Sequence, residues 1–198
     1  TGSVGSETSD LGLHLGHQPP EGDCVVHRLA RSDAVLCATP SYLDGRGRPM
    51  EPQDLAHHAL LMAPLPLALP RRGLVLHGPG GPKGLGETVE ILPEQPLALA
   101  SADTGLLHAA VLAGLGVAAL PSCLVGPCLH TQALEHVLPL WRADRLTLWA
   151  TTPSRRRVSA RTRAVLDLLR QAWGGEDSDP WLAAPLPEPL EPGDDPRT

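Results

Sequence analysis

The stretch of residues 101–121 constrains the fold of this chain most, because it reads as cap, helix, tight turn and apolar strand. Asp103 or Thr104 can cap the first turn, since short polar side chains accept hydrogen bonds from free backbone N–H groups there. Leucine, alanine and valine recur at helical spacing up to Gly114, which suits the left-handed residue just past a helix end. Residues 117–120 are wholly apolar, which favours a strand covered on both faces, as in a parallel sheet. The stretch therefore predicts one α/β unit.

Weaker signals divide the rest of the chain into strands, helices and loops. The predicted strands are 11–15, 24–30, 34–38, 59–63, 74–77, 88–92, 97–100, 134–138 and 145–150. The predicted helices are a short one after Thr39, then 51–57, 104–113, 122–129 and 159–173. Residues 1–9 are predicted to be a flexible lead, and residues 174–198 a disordered tail rich in proline and acidic residues.

The composition fits a globular protein and argues against several classes. The chain has 198 residues, 42% of them hydrophobic, which is enough for one or two small domains with a real core. Its formal charge of −6 argues against direct DNA binding through phosphate contacts. Four cysteines are too few to indicate a disulfide framework. The chain shows neither a secretory signal nor an apolar run near the ~20 residues of a membrane span, so we expect a cytoplasmic protein.

Motifs for metal binding or catalysis have little support. Cys123, Cys128, His130 and His136 could suggest zinc, but their spacing fits the usual ligand pairs poorly, so we expect no metal site. The segment 78–83 lacks the spacing of a phosphate-binding loop. A basic cluster is predicted to be a solvated helix start rather than a DNA contact; it comprises Arg155, Arg156, Arg157, Arg161 and Arg163. The sequence therefore predicts no enzyme activity and no cofactor.

An ordered set of short motifs resembles one protein family. Residues 10–16 (DLGLHLG) are similar to a D-L-A-I-R-x-G strand, and residues 54–58 (DLAHH) to D-L-x-x-H. Residues 28–30 followed by 35–43 (VLCATPSYL) are similar to R-R-L and V-L-x-A-S-P-x-Y-L. With residues 102–121 they resemble the effector-binding domain of LysR-type transcriptional regulators, and 78–81 and 153–156 also find counterparts. The resemblance covers roughly residues 9–173.

The resemblance implies an α/β fold of two lobes joined by two crossing strands, like a type 2 periplasmic binding protein. The first lobe is expected to comprise residues 10–58 and 145–173, and the second residues 59–144. The family's opening strands and helices have no counterpart here, so the first lobe is expected to be incomplete, with exposed strand edges that invite pairing with another chain. The family's DNA-binding helix-turn-helix also has no counterpart in this sequence.

The implied function is a regulatory domain that senses a small molecule in the cleft between the lobes, acts as a homo-oligomer and reaches DNA through a separate domain. Free N–H groups at a helix N-terminus can hold a polar effector, and strand ends face the crevice of an open α/β sheet. The candidate effector-binding residues are Gly16, His17, Thr39, Ser101, Asp103 and Thr104.

Simpler roles and other functions remain open from the sequence. Ser101, Asp103 and Thr104 can serve only as a helix cap, Thr39 can cap the next helix, and His17 can be a solvated loop residue. An acidic cap already satisfies the helix dipole, which argues against a strongly anionic ligand at that helix. A solute-binding protein of similar bilobal fold is the alternative function, and an enzyme on the same scaffold is a third.

Overall fold

The computed structural model describes residues 10–62, 73–78, 86–153, 158–173 and 179–183. Its strands are β1 (Gly12–Gly16), β2 (Cys24–Ala38), β3 (Leu60–Met62), β4 (Leu74–His77), β5 (Thr88–Ile91), β6 (Leu99–Ala100), β7 (Val117–Pro121), β8 (Glu135–Val137) and β9 (Asp144–Pro153). Its helices are α1 (Pro40–Arg46), a 3-10 helix (Pro52–His57), α2 (Thr104–Leu112), α3 (Ser122–His130), α4 (Ala160–Ala172) and α5 (Pro180–Ala183). The predictions for residues 1–9, 79–83, 155–157, 174–178 and 184–198 lie outside the described residues.

One mixed sheet carries the fold, and it contains the predicted α/β unit. Its strand order is β1-β9-β2-β7-β3-β6, β8 also pairs with β2, and β4 and β5 form a separate ladder. Helix α2 ends at a turn through Gly114 (φ +76°) and leads into β7, which lies parallel to β3. Val117 packs in a buried cluster on one face of the sheet, and Ala118 and Leu120 pack in a second cluster on the other. The parallel, doubly covered strand is therefore confirmed.

Strand β2 is a single strand of 15 residues, whereas the sequence predicted two strands at 24–30 and 34–38. A bulge between Arg28 and Ala30 is the only irregularity in its ladder with β9. The polar run 31–33 is typical of a turn, which is why the sequence analysis divided the strand. Because the backbone of these three residues pairs with β9 throughout, the ladder overrides the local preference for a turn.

The two long strands of the fold are β2 and β9, which run antiparallel from Cys24 opposite Pro153 to Ala34 opposite Asp144. The end of β2 continues into the ladders with β7 and β8. These are therefore the two strands that pass from one half of the sheet to the other. The prediction that residues 59–63 leave the first lobe is wrong, since β3 lies between β6 and β7 in the same half as the end of β2.

The first predicted lobe boundary also differs from the packing. Leu43 of α1 and Leu55 of the 3-10 helix belong to the same buried cluster as Leu60 and Val117. The predicted first lobe, residues 10–58 with 145–173, includes α1 and the 3-10 helix. Their leucines instead cover the face formed by β2, β3 and β7, because the chain has already crossed the sheet along β2 before α1 begins.

The other half of the sheet consists of β1, the start of β2 and the end of β9, with α4 packed on it. Leu29, Ala150 and Leu166 form its small buried cluster. In the described part of the chain β1 pairs only with β9, and its side chains Leu13 and Leu15 are exposed. The edge strand expected from the sequence is therefore present in the structure.

The predicted disorder of residues 174–198 is wrong for residues 179–183. Helix α5 packs on α3, and the side chain of Trp181 is only 6% exposed. The composition of the segment indicates disorder, but one buried aromatic ring and one buried carboxylate, that of Asp179, hold it in place.

Candidate functional site

Three parallel strands end at one edge of the sheet. Strands β3, β6 and β7 are parallel, so their carboxyl ends lie together, and α3 begins at Ser122 directly after β7. Pro121, the last residue of β7, lies opposite Ala34, and Ala34 lies opposite Asp144, so β2 and β9 leave this half at the same level. Ligands bind outside the carboxyl ends of strands in open α/β sheets. We call this region, marked by Ala34, Ser101, Pro121 and Ser122, the crossing edge.

The predicted residues Ser101, Asp103 and Thr104 lie at the crossing edge, at the start of α2. The Asp103 carboxylate accepts hydrogen bonds from the N–H groups of Gly105 (2.8 Å) and Leu106 (3.2 Å). The Asp103 N–H itself donates to the Ser101 hydroxyl at 3.0 Å. These contacts are those of a helix cap, and they use N–H groups that the functional interpretation needed for an effector. Thr104 is exposed on the first turn.

The predicted residues Gly16 and His17 lie close to the crossing edge from the other half of the sheet. Gly16 ends β1 opposite Thr147 of β9, and its carbonyl accepts a bond from the Trp149 indole at 3.4 Å. The imidazole of His17 lies 3.2 Å from the carboxylate of Asp144, and both side chains are largely exposed. Asp144 is the first residue of β9, so His17 lies next to the point at which β9 begins to cross between the halves of the sheet.

Thr39 lies at the opposite edge of the sheet from the other candidates. Strand β2 runs antiparallel to β7, so the end of β2 lies beside the start of β7 rather than beside its carboxyl end. The hydroxyl of Thr39 caps α1 by accepting a bond from the Tyr42 N–H at 3.3 Å. A Cβ on Gly114, which precedes β7, would lie 3.3 Å from that hydroxyl. Thr39 therefore does not lie with Thr104 at the crossing edge, although both residues follow strands.

A buried polar cluster that the sequence analysis did not identify lies at the crossing edge. The hydroxyls of Ser32 and Ser122 lie 2.9 Å apart, and both residues are fully buried. The Ser122 hydroxyl also lies 2.7 and 2.9 Å from the two carboxylate oxygens of Asp179. The backbone N–H of Asp33 donates to the same carboxylate at 2.8 Å. We call the two serine hydroxyls and the Asp33 N–H the Asp179 seat.

The Asp179 carboxyl is buried at this seat, and its burial raises its pKa. The hydrogen bonds from the Asp33 N–H and the Ser122 hydroxyl act in the opposite direction, because they favour the charged form. Burial is the larger effect, so the pKa of Asp179 lies above its ordinary value.

Cationic side chains surround the carboxylate of Asp33 beside the seat. The Nε atoms of Arg31 and Arg145 lie 3.3 and 3.6 Å from one Asp33 oxygen, and neither of these nitrogens nor that oxygen makes a hydrogen bond in the described part of the chain. Burial lowers the pKa of Arg145, and the nearby charges of Arg142 and Arg31 lower it further. Two arginines beside the Asp33 carboxylate, with the charge of Arg142 near Arg145, make this side of the crossing edge electropositive.

The sequence does contain a signal for part of this cluster. The run Arg31-Ser32-Asp33 interrupts two apolar stretches, and polar residues inside a buried strand need hydrogen-bonding partners. Nothing in the sequence indicated that Ser122 and Asp179 would supply them, since these residues are 90 and 147 positions from Ser32.

Two clefts lie away from the crossing edge. The larger, about 320 Å³, is lined by Met50, Glu51, Pro52, Gln53, Glu87, Val89 and Trp141, and we call it the Trp141 cleft. The smaller, about 30 Å³, lies beside the end of β9 and is lined by His14, Pro20, Glu21, Gly22, Asp23, Cys24 and Thr151. Neither includes a residue that the sequence analysis proposed for effector binding.

The described residues hold neither a cluster of metal ligands nor a membrane-spanning helix. No group of three or more histidine, cysteine, aspartate or glutamate side chains in the described ranges is placed to hold a metal ion. Among the same residues, no helix is both long enough and apolar enough to cross a membrane.

Relatives of this chain are transcriptional regulators. It is 30% identical over 172 residues to the HTH-type transcriptional regulator PtxR of Pseudomonas aeruginosa. This alignment covers 84% of this chain and 50% of the relative. It is 29% identical over 150 residues to the HTH-type regulator YhjC of Escherichia coli. This alignment covers 76% of this chain and 48% of the relative. The chain therefore spans about half the length of these relatives.

A solved structure agrees with the fold, and a family model agrees with the sequence. The regulatory domain of CrgA, a LysR-type transcriptional regulator of Neisseria meningitidis, superposes with a TM-score of 0.63 at 24% identity and covers 88% of this chain and 81% of that one. At that identity the likeness concerns the fold alone. The sequence model described as the LysR substrate binding domain matches residues 2–174. This chain therefore belongs to the LysR substrate-binding domain family, with the two-lobed, periplasmic-binding-protein-like fold that its motifs imply.

Proposed function

We propose that this chain binds a small-molecule effector at the crossing edge and that binding changes how the two halves of the sheet are held. The observation that carries the proposal is the buried polar cluster of Ser32, Asp33 and Ser122 at the carboxyl ends of parallel strands. Buried hydroxyls and N–H groups are costly unless they are bonded, so a cluster of this kind serves either the hinge or a ligand. Its location where β2 and β9 cross allows it to serve both.

The effector would contact both halves. Thr104 and the start of α3 lie on one side of the crossing edge, and Gly16 and His17 lie on the other. A ligand that binds one arrangement of the halves more tightly than another shifts the equilibrium by that difference in affinity. We propose that the shift passes to a DNA-binding region elsewhere in the full regulator, through contacts between subunits in the cytoplasm.

Two observations favour a regulator over the other functions considered. The relatives that this chain matches are transcriptional regulators rather than transport proteins or enzymes. The net charge of −6 fits a domain that does not itself contact DNA. A solute-binding protein would share the fold, and it would be distinguished by the absence of any effect of the ligand on transcription.

The first experiment is a thermal-shift screen of small molecules on this chain, followed by calorimetry on each compound that raises the melting temperature. Thr104→Val keeps the shape of an exposed side chain and removes its hydroxyl. If that hydroxyl binds the effector, affinity should fall by about 0.5–1.5 kcal/mol. Thr88→Val on β5, away from the crossing edge, is the matched control and should leave affinity unchanged. Equal affinities for both variants would remove Thr104 from the site.

A further inference from the structure

The carboxylate of Asp179 is held in a manner typical of a bound ligand. It accepts hydrogen bonds from the Asp33 N–H at 2.8 Å, from the Trp181 N–H at 3.2 Å, and from the Ser122 hydroxyl, whose oxygen lies 2.7 and 2.9 Å from the two carboxylate oxygens. Apart from the last, these donors lie far from it in the sequence. Hydrogen bonds from hydroxyls and backbone N–H groups to a carboxylate are charge-assisted, so the same donors can bind the carboxylate of an organic acid.

The donors of the seat are oriented by a relay. The Cys123 N–H donates to the Ser32 hydroxyl at 3.2 Å. Because the only proton of the Ser122 hydroxyl goes to Asp179, the Ser32 hydroxyl has to donate its own proton to Ser122 across their 2.9 Å contact. Both hydroxyls are thus aligned toward the carboxylate, and both serines are fully buried. The first N–H groups of α3 begin this relay, so the positive end of the helix dipole supports it.

The segment that carries Asp179 comprises residues 179–183 in the described part of the chain, and its helix α5 contacts both α3 and β2. Trp181 packs against α3, where a Cβ on Gly126 would lie 2.9 Å from the Cβ of Trp181. Its ring centroid lies 5.6 Å from that of Trp173. Leu182 is 37% exposed. The buried groups of residues 179–183 are therefore one carboxylate, that of Asp179, and one indole, that of Trp181.

The seat lies at the carboxyl ends of the parallel strands, which is where ligands bind in open α/β sheets. Ser122 follows the carboxyl end of β7, and Asp33 lies in β2 one residue before the start of the β2–β7 ladder. Arg31 and Arg145 flank Asp33 with Nε atoms that make no hydrogen bond in the described residues, so they offset the charge of the Asp33 carboxylate beside the seat. Burial and the nearby Asp33 carboxylate act against a negative charge at the seat, and the hydrogen bonds from the Asp33 N–H and the Ser122 hydroxyl favour it.

We propose that the Asp179 seat is a carboxylate-binding site and that residues 179–183 are its intramolecular occupant, which a carboxylate-bearing effector displaces. This inference rests on the proposed function and adds the chemical class of the effector. The two carboxylates compete for the same hydroxyls and the same N–H, so only one can bind at a time. If the segment is docked nine times in ten, it weakens the apparent affinity of the effector about tenfold.

The test uses the full chain, with benzoate as the carboxylate probe and benzamide as its neutral analogue. Calorimetry at constant ionic strength compares wild type with Asp179→Ala and Asp179→Asn, which remove the internal carboxylate. Asp167→Ala, which removes an exposed acid of α4, is the matched control for the change in charge. Backbone amide shifts of Asp33 and Cys123 report binding at the seat itself.

We expect benzoate to bind both Asp179 variants more tightly than it binds wild type or Asp167→Ala, by about tenfold for a segment that is docked nine times in ten. Binding should also shift the amide signals of Asp33 and Cys123. Benzamide should bind none of them measurably, and adding Ser122→Ala to Asp179→Ala should weaken benzoate binding. Equal benzoate affinity in wild type and both Asp179 variants overturns the proposal, as does benzamide binding as tightly as benzoate.

A measurement on the wild type covers the case in which the variants fail to fold. Benzoate up to about 100 mM should speed hydrogen exchange of the Trp181 N–H, since that group is bonded to the displaced carboxylate; unchanged exchange overturns the proposal. The outcomes also separate this inference from the proposed function. An effector that binds at the crossing edge without releasing residues 179–183 contradicts the inference alone. An effector located elsewhere, with benzoate still bound at the vacated seat, contradicts the proposed function alone.

Discussion

The hydroxyl of Ser32 on β2 lies 2.9 Å from the hydroxyl of Ser122 at the start of α3, and both residues are fully buried. The contact joins a strand that passes through both halves of the sheet to the first turn of a helix in one of them. We therefore expect it to stabilise the fold as well as to orient the Asp179 seat.

Replacing either serine by alanine should lower the free energy of unfolding by about 1–3 kcal/mol, because a buried partner loses its hydrogen bond. Ser32→Ala leaves the Cys123 N–H without its acceptor, and Ser122→Ala leaves Asp179 without its hydroxyl donor. Urea unfolding measures the change. Ser41→Ala, at an exposed position on α1, is the control and should stay within about 0.5 kcal/mol. A Ser32→Ala effect no larger than the control would show that the contact contributes nothing to stability.

The docked segment should contribute to stability through its buried indole. Trp181→Ala should lower the free energy of unfolding by about 1–3 kcal/mol, less than the ~3–5 kcal/mol typical of a core tryptophan, because a peripheral segment can detach on its own. Met50→Ala, at a position that is 85% exposed, is the control and should have little effect. Equal urea midpoints for Trp181→Ala and Met50→Ala would show that the segment does not stabilise the fold.

Gly116 is required by a close approach of two backbone segments before the parallel strands begin. A Cβ at this position would clash with the carbonyl of Ala59, whose oxygen accepts the Val117 N–H at 2.8 Å. Gly116→Ala should therefore destabilise the chain by more than about 2 kcal/mol. Gly45→Ala is a matched control, since a Cβ on this exposed residue of α1 meets nothing within 4 Å. That variant should be neutral or stabilising by up to about 1 kcal/mol, and an equal loss in both variants would contradict the account.

One buried histidine, His58, and one half-buried histidine, His136, should make the fold sensitive to mild acid. Burial lowers the pKa of both His58 and His136. The unfolded chain therefore binds protons at these sites before the folded chain does. The free energy of unfolding should fall as the pH drops below the ordinary histidine pKa of about 6.5, and it should be fully retained above that pH. Urea titrations between pH 7 and 5 measure the slope, and His58→Gln with His136→Gln should flatten it. A free energy of unfolding that rises as the pH drops from 7 to 5 would contradict this prediction.

The α/β unit could be predicted because its determinants are local. The cap Asp103, the periodic apolar residues and Gly114 lie within a dozen residues of one another, and the structure contains the helix, the turn and the parallel strand that they indicate. The amphipathic helix α4 could be predicted for the same reason.

The candidate site could be predicted only in part, because strand direction is a long-range property. The sequence indicates that Thr39 follows a strand, but only the pairing of β2 with β7 determines at which edge that strand ends. The docking of residues 179–183 depends on Ser32, Asp33 and Ser122, which come from distant segments. Composition alone therefore indicated disorder where one carboxylate and one indole produce order.

The most direct measurement of the central claim is amide chemical-shift mapping of the tightest compound from the thermal-shift screen on this chain. We expect the largest shifts at Asp33, Thr104, Ser122 and Cys123, because the effector should bind where the parallel strands end and the long strands cross. Shifts concentrated instead on the Trp141 cleft, at Gln53 and Val89, with none at the crossing edge, would contradict the account.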